Sequence, residues 1–178
     1  MTAEEKITEG QVGGVKFFTS YYGNLEKMNL KTTLTVSISS GSILEELKKV
    51  YGPVEGEKYF YLLDILLGYK LGPSWEIYST YKNSTKPKRE KEYEYYGSFI
   101  NNVWGKVNLR KLILNISEIA FRQGKNKVVF LCYEEPHEFC HRFIVAEILN
   151  ESVLQQKIKE LFVGDEAQTF FGGRLKLS

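Results

Sequence analysis

The stretch that most restricts the fold is NLRKLILNISEIAFRQGKNKVVFLCYEEPHEFCHRFIVAEILN, residues 108–150. Leu109, Leu112, Ile113, Ile116, Ile119 and Ala120 recur along one helix face, Asn108 stands at the cap position, and Gly124 ends the run. The segment KVVFLCYE, 127–134, is apolar on both faces, as a central strand of a covered parallel sheet is. Phe139 to Asn150 then reads as a second helix. Helix, strand and helix in this order call for a parallel sheet with covering helices. The expected class is α/β: a three-layer, Rossmann-like domain with a mostly parallel sheet.

The rest of the chain is read around that unit. Residues 1–14 are polar and are expected to be a flexible lead-in to a single α/β domain over 15–178. Val15–Phe18 predicts a short strand running into the polar turn TSYYGN, and 32–41 a second strand, apolar at 34, 36 and 38. Ser42 with Glu45 has the capping-box spacing for a helix that Gly52–Pro53 stops. The segment 58–73 is apolar nearly all round and fits a buried helix, a strand and turn, or a subunit contact, so a homodimer is one expectation. SWEIYSTYK, 74–82, suggests another short strand. No apolar run reaches the ~18 residues that cross a bilayer, and no signal peptide pattern opens the chain, so the expected compartment is the cytoplasm, with no membrane partner.

Both cysteines and both histidines lie within ten positions: Cys132, His137, Cys140 and His141, with Arg142 following. Cys132 sits near the carboxyl end of the 127–133 strand, the edge outside which open α/β sheets bind ligands. Cys140 and His141 precede Ile144 and Val145 by four residues, which sets them on the buried side of the following helix at its first turn. Strand end and helix start therefore bring Cys132, Cys140 and His141 together. Free N–H groups and a positive dipole at a helix start acidify a thiol, to a pKa of ~3.5–7.5 in favourable cases, and hold anions.

Three readings follow. In the first and favoured one the cluster is catalytic, with Cys140 as a thiolate nucleophile or redox thiol, His141 as base or donor, and Arg142 as a bidentate anion clamp. In the second, Cys132, His137, Cys140 and His141 hold zinc, though the paired C-x-x-C spacing is missing; no cofactor is otherwise expected. In the third, the thiols form a Cys132–Cys140 disulfide or stay buried beside a hydrogen-bonded histidine, without chemistry. Arg142 also stands four residues after Glu138, the spacing of a surface ion pair.

CYEEPHEFCHRFIVAEIL resembles the signature of the domain of unknown function 488 family: Cys-x-Glu at a strand end, an acidic loop with proline, then Cys-His-Arg opening a helix. The matching positions are Cys132, Glu134, Cys140, His141 and Arg142. FTSYYGN and VSISSG resemble the family's N-terminal half, so that the likeness spans most of 15–150. It implies an α/β domain with the motif at the carboxyl edge of a parallel sheet, and it supplies no activity. His137 stands where relatives often carry a residue such as glycine, which counts against the four-ligand zinc set.

The other strand ends are expected at the same crevice, bringing Thr19, Ser20 and Tyr21 from the first strand and Ser39, Ser40 and Gly41 from the second. Hydroxyls, amides, an arginine and a thiol there suit an anionic small molecule or nucleotide. The competing reading is a nucleic-acid-binding module built on the basic, tyrosine-rich segment 82–96 (Lys82, Lys86, Lys88, Arg89, Lys91, Tyr93, Tyr95, Tyr96). A net charge of only +2 gives that module no support from bulk charge.

Overall fold

The strand predicted to be central is the one on which the sheet is built. A computed structural model describes residues 7–8, 11–12, 14–64, 71–135, 138–149 and 159–160. In it β5 (Lys127–Cys132) lies between β3 (Val15–Tyr21) and β4 (Thr33–Ser37), parallel to both. Lys16 pairs with Lys127 through to Tyr21 with Cys132, and Thr33 with Lys127 through to Ser37 with Leu131. β6 (Lys159–Glu160) runs parallel to β3 at Phe18 and Thr19. β1 (Ile7–Thr8) and β2 (Gln11–Val12) add an antiparallel edge, so part of the expected lead-in is sheet.

Alternation along β5 explains why it is apolar throughout. Val128, Phe130 and Cys132 face α4 (Lys88–Asn102), α5 (Leu109–Arg122) and α6 (His141–Leu149), packed with Phe17, Val36, Phe99, Ile113 and Ile144. Val129 and Leu131 face the other way, onto Tyr22 and Leu25 of a 3-10 turn and onto Ile43 and Leu47 of α1 (Ile43–Tyr51). Helices thus cover both faces, and the class is α/β. Each aliphatic side chain fully buried this way contributes about 1.5–3 kcal/mol.

The ends of α5 are made as its sequence signals. Asn108 Oδ1 accepts from Lys111 N at 3.0 Å, and Gly124 takes the left-handed conformation, φ 68°, after which Lys125 N bonds Ala120 O at 2.8 Å. A Cβ at Gly124 is strained by about 1–2 kcal/mol. Gly124→Ala is therefore expected to lower unfolding stability by that amount, measured as a shift in the urea midpoint at unchanged slope.

Several expectations are corrected. β3 does not end at Phe18: Thr19 and Ser20 continue the ladder and are fully buried. Ser42 precedes α1 without a side-chain cap; its carbonyl joins, accepting from Glu46 N at 3.1 Å. Pro53 opens a new helix, α2 (Pro53–Leu62), where its fixed φ suits the first turn. That helix is not core: Tyr61 is 76% and Leu62 52% exposed. Residues 65–70 of the same apolar segment lie outside the described residues. SWEIYSTYK is helix α3 (Trp75–Asn83) and not a strand, capped by Ser74 Oγ, which accepts from Ile77 N at 3.3 Å. Among the described residues no helix is long and apolar enough to cross a membrane.

Candidate metal centre

β5 ends at Cys132, the chain turns through Glu134 and Glu135, and α6 begins at His141. This compact turn gathers two thiols, a carboxylate and an imidazole. Cys132 Sγ donates to Glu134 Oε2 at 2.7 Å, and Cys140 Sγ lies 3.2 Å from the same oxygen. His141 Nδ1 is 3.9 Å from Cys132 Sγ and 4.0 Å from Cys140 Sγ. One ligand atom from each of Cys132, Glu134, Cys140 and His141 lies within 4.8 Å of all the others. A four-coordinate ion with bonds of ~2.0–2.3 Å separates its ligands by roughly 3.3–3.8 Å, and the observed separations straddle that range.

The histidine is held by Nε2, which also lies 3.3 Å from Cys132 Sγ. Nε2 lies against Ile38 O, a carbonyl that can only accept, so Nε2 carries the proton and donates. That leaves the Nδ1 lone pair to accept from the Tyr95 hydroxyl, 3.2 Å away, with Cys132 Sγ at 3.9 Å and Cys140 Sγ at 4.0 Å. Cys140 occupies the position before α6: its Sγ accepts from Arg142 N at 3.4 Å and its carbonyl from Phe143 N at 3.1 Å. Both cysteines are free and buried, so the disulfide alternative is not the arrangement found. His137, a ligand in the expected zinc set, lies outside the described residues.

The electrostatics single out Cys140. Burial opposes its ionisation, but the hydrogen bond from Cys132 and the charge of His141 outweigh burial and bring the thiol down to about 6. Cys132 moves the other way, well above the usual thiol range, through burial, its hydrogen bond with Cys140 and the Cys140 charge. For His141, burial favours the neutral ring, yet the Cys140 thiolate raises its pKa. For Glu134, burial favours the acid, yet the His141 charge and the Cys132 hydrogen bond lower it. The cluster favours deprotonated Cys140 and Glu134, the forms that bind a cation, and protonated Cys132 and His141, which lose their protons when a cation binds.

Arg142, expected as an anion clamp, is turned to the loop backbone. It is fully buried, and its guanidinium donates to two loop carbonyls, Glu134 O through Nη1 and Glu135 O through Nη2 at 2.9 Å. Its burial also removes the surface pair with Glu138; Glu138 Oε2 instead accepts from Glu135 N at 3.3 Å. The guanidinium fixes the turn that presents Glu134.

A crevice of about 290 Å³ opens on the cluster, walled by Cys132, Glu134 and His141 and by the predicted Ser39, Ser40 and Gly41. Thr19, Ser20 and Tyr21 do not line it. Ser20 Oγ accepts from Asn24 Nδ2 at 3.2 Å inside the fold, and Tyr21 pairs with Cys132 in the sheet. The sequence reading missed Glu46, Lys49, Trp75, Tyr78 and Tyr133, which complete the walls. Glu45, Glu46 and Glu134 against Lys49 make the lining acidic, which takes support from the anionic-ligand expectation. A larger groove of about 690 Å³ between α3 and α4 includes none of the four cluster residues, so chemistry and not size assigns the site.

Gly41 lies close to Glu46: a Cβ there would stand 2.8 Å from Oε1, the movable end of that side chain. The Glu46 carboxyl is pushed up to about 7 by burial, with the Ser39 hydrogen bond opposing and the Glu134 charge assisting. The folded protein therefore holds this proton more tightly than the unfolded chain, whose carboxyl titrates near 4.5. The contribution is fully present below about pH 4.5, declines as pH rises to about 7, and is flat above. Urea unfolding at several pH values is expected to show this slope in the parent and not in Glu46→Gln, a difference of about 1–2 kcal/mol once solvent screening of the partly exposed carboxyl is allowed for.

The basic segment is answered within its own helices. Lys86 pairs with Glu90 at 3.5 Å and with Glu94, Lys88 with Glu92 at 3.9 Å, and Lys91 lies 5.0 Å over the Tyr81 ring. Tyr95 is core and not a stacking surface. Two of the five basic residues of the segment, Lys86 and Lys88, thus face acidic partners.

A family model described as the active DUF488-N3 subclade matches residues 63–153, a span that holds all four cluster residues and leaves out Ser39–Gly41 and Glu46. No curated protein and no solved structure matches the chain.

Proposed function

The chain belongs to the DUF488 family, and from that premise we propose that Cys132, Glu134, Cys140 and His141 form the zinc centre of a metal-dependent enzyme. The observation that carries the reading is the convergence of two sulfurs, one imidazole nitrogen and one carboxylate oxygen within 4.8 Å. Two thiolates and an imidazole suit zinc over harder cations. The Nε2–H bond to Ile38 O is the outer-shell contact that orients a metal-bound histidine.

Glu134 is the half-buried member and borders the crevice, whereas Cys132, Cys140 and His141 are buried. That division matches catalytic zinc sites, in which three protein ligands hold the ion and a fourth position exchanges. Zinc bound there would polarise an oxygen of the substrate or lower the pKa of a bound water. The residues of this chain supply the rest: Arg142 fixes the turn carrying Glu134, Ile38 O sets the imidazole plane, and Ser39 and Ser40 border the space where a ligand would sit. Two free thiols fit a reducing compartment such as the cytoplasm.

One observation favours a second reading. The Arg142 N–H on Cys140 Sγ, 3.4 Å, is the helix-start contact that activates a nucleophilic thiolate. Against it stand the burial of Cys140, 2% exposed, and a carboxylate oxygen 3.2 Å from the sulfur. Metal analysis of the purified protein, followed by thiol alkylation with and without chelator, separates the two. About one zinc per chain, with alkylation only after chelation, is the expected result. Metal-free protein whose Cys140 alkylates rapidly in the native state would overturn the zinc reading in favour of the thiolate.

A further inference from the structure

Cys132 and Cys140 are the only cysteines of the chain, and the fold sets their sulfurs on one shared acceptor. Glu134 Oε2 lies 2.7 Å from Cys132 Sγ and 3.2 Å from Cys140 Sγ. The two sulfurs lie within 4.8 Å of each other. A disulfide needs about 2.05 Å, and side-chain rotation spans the difference. A second cavity, apart from the crevice, ends on Cys140. It measures about 10 Å³, the room of about one water molecule, and runs between Tyr78, Tyr81, Lys82 and Phe139 to Cys140 and His141. Lys82 is exposed, so this chamber begins at the surface, and the rings of Tyr81 and Phe139 flank it with centroids 5.3 Å apart. Aromatic walls admit a small neutral molecule and exclude a bulky or charged one. At the inner end, Arg142 N donates to Cys140 Sγ at 3.4 Å, a helix-start contact that supports negative charge on the sulfur. A metal centre whose exchangeable position faces the crevice makes no use of this chamber.

We propose that Cys132 and Cys140 are an oxidative modification site: hydrogen peroxide enters by the aromatic chamber and closes the pair to a disulfide that disables the cluster. Hydrogen peroxide is neutral, nearly as small as water, and takes up two electrons. The chamber and the pair together make those demands. Cys140 reacts first, since it alone of the two lines the chamber. Its thiolate attacks one peroxide oxygen, the O–O bond breaks, a sulfenic acid forms and hydroxide leaves. Cys132 then attacks the sulfenic sulfur; the S–S bond forms and the S–O bond breaks. Cys132 gives its proton to Glu134 Oε2, which it already faces, and the departing hydroxide carries that proton off as water. In sum the two sulfurs give up two electrons, and peroxide becomes water and hydroxide. With zinc bound, Cys132 is already a thiolate, and the second hydroxide takes its proton from solvent. A dithiol reverses the closure by exchange. The disulfide rests on the two sulfurs alone. Its further effect rests on the zinc reading: an ion held by the cluster loses both sulfur ligands and is released.

The purified full chain is treated with near-stoichiometric hydrogen peroxide and read by intact mass, with a chromogenic chelator present to report zinc. A product lighter by two hydrogens, restored by dithiothreitol, is expected. In zinc-loaded protein, release of the ion is expected to rise in step with the disulfide. Cys132→Ser is expected to gain oxygen at Cys140 in place of losing hydrogen. The chamber is tested with tert-butyl hydroperoxide, the bulkier oxidant. The native protein is expected to prefer hydrogen peroxide over it at least tenfold more strongly than the urea-unfolded chain does. Phe139→Ala, which widens the chamber, is expected to lose most of that preference. A disulfide in protein that purifies without metal supports the switch and removes the zinc reading, so the two are judged separately. Thiols that stay reduced, or that go on to sulfinic acid without a disulfide, overturn the proposal whether or not zinc is bound. Equal preference in native and unfolded protein overturns the chamber as the route.

Discussion

Cys140→Ser protein is expected to lose more than about 100-fold in zinc affinity, measured by competition with a chromogenic chelator. The hydroxyl keeps the shape of the thiol but not its chemistry. At neutral pH it remains protonated, whereas the Cys140 thiol is drawn down to about 6 by its neighbours against the effect of burial. A protonated hydroxyl is a poor fourth partner for an ion that prefers thiolate and imidazole. Loss of an outer-shell contact alone costs about 10–100-fold, and the loss of a ligand must exceed that. The contrast is Tyr95→Phe, which removes only a hydroxyl 3.2 Å from His141 Nδ1 and is expected to change zinc affinity by less than tenfold. Unchanged affinity in the serine variant would take Cys140 out of the ligand set.

Arg142→Ala is expected to cost about 3–5 kcal/mol of unfolding stability, from two lost charge-assisted hydrogen bonds and the space left by the side chain. The side chain is fully buried and donates to Glu134 O and Glu135 O. Alanine leaves both carbonyls without these donors, each charge-assisted bond being worth roughly 1.5–3 kcal/mol, and opens a cavity under the turn. Set against a typical total of about 5–15 kcal/mol, that loss brings the domain near unfolding at ambient temperature. Arg142→Lys is expected to recover only part of it, because an ammonium cannot fork to two carbonyls in one plane. Urea denaturation of the three proteins measures both effects. A loss below about 1 kcal/mol in the alanine variant would mean that the turn is held by other contacts.

These two positions stand two residues apart in the sequence, and only one is legible there. Cys140 was placed correctly because the end of an apolar strand and the start of a helix are local signals, and their meeting fixes what lies between. Arg142 was taken for a surface or ligand-facing cation because helical spacing predicts one apolar stripe. Every residue of α6 is buried, including Arg142 and Glu147, so stripe logic fails there. α5 was legible to its ends because Asn108 and Gly124 act on their own neighbours. Helix α3 was mistaken for a strand because Trp75, Ile77 and Tyr78 favour extended chain, and the Ser74 cap outweighs them. Thr19 and Ser20 look like turn residues in sequence, but register with β5 carries them into the sheet. The crevice wall was the least legible part. Glu46, Trp75 and Tyr133 come from three separate elements, and no local spacing announces that they meet.

The position of β5 also sets the order in which the molecule can be assembled. β3 and β4 are both made by residue 37, yet they do not pair with each other; each pairs with a strand that begins only at Lys127. As the chain leaves the ribosome, its first two parallel strands therefore have open edges through the synthesis of α1 to α5. Closure of the sheet is a long-range event, of the sort that slows folding and leaves a nascent chain open to wrong partners. Once β5 has inserted, the same step delivers Cys132 to the sheet edge, so the core and the candidate site are completed together.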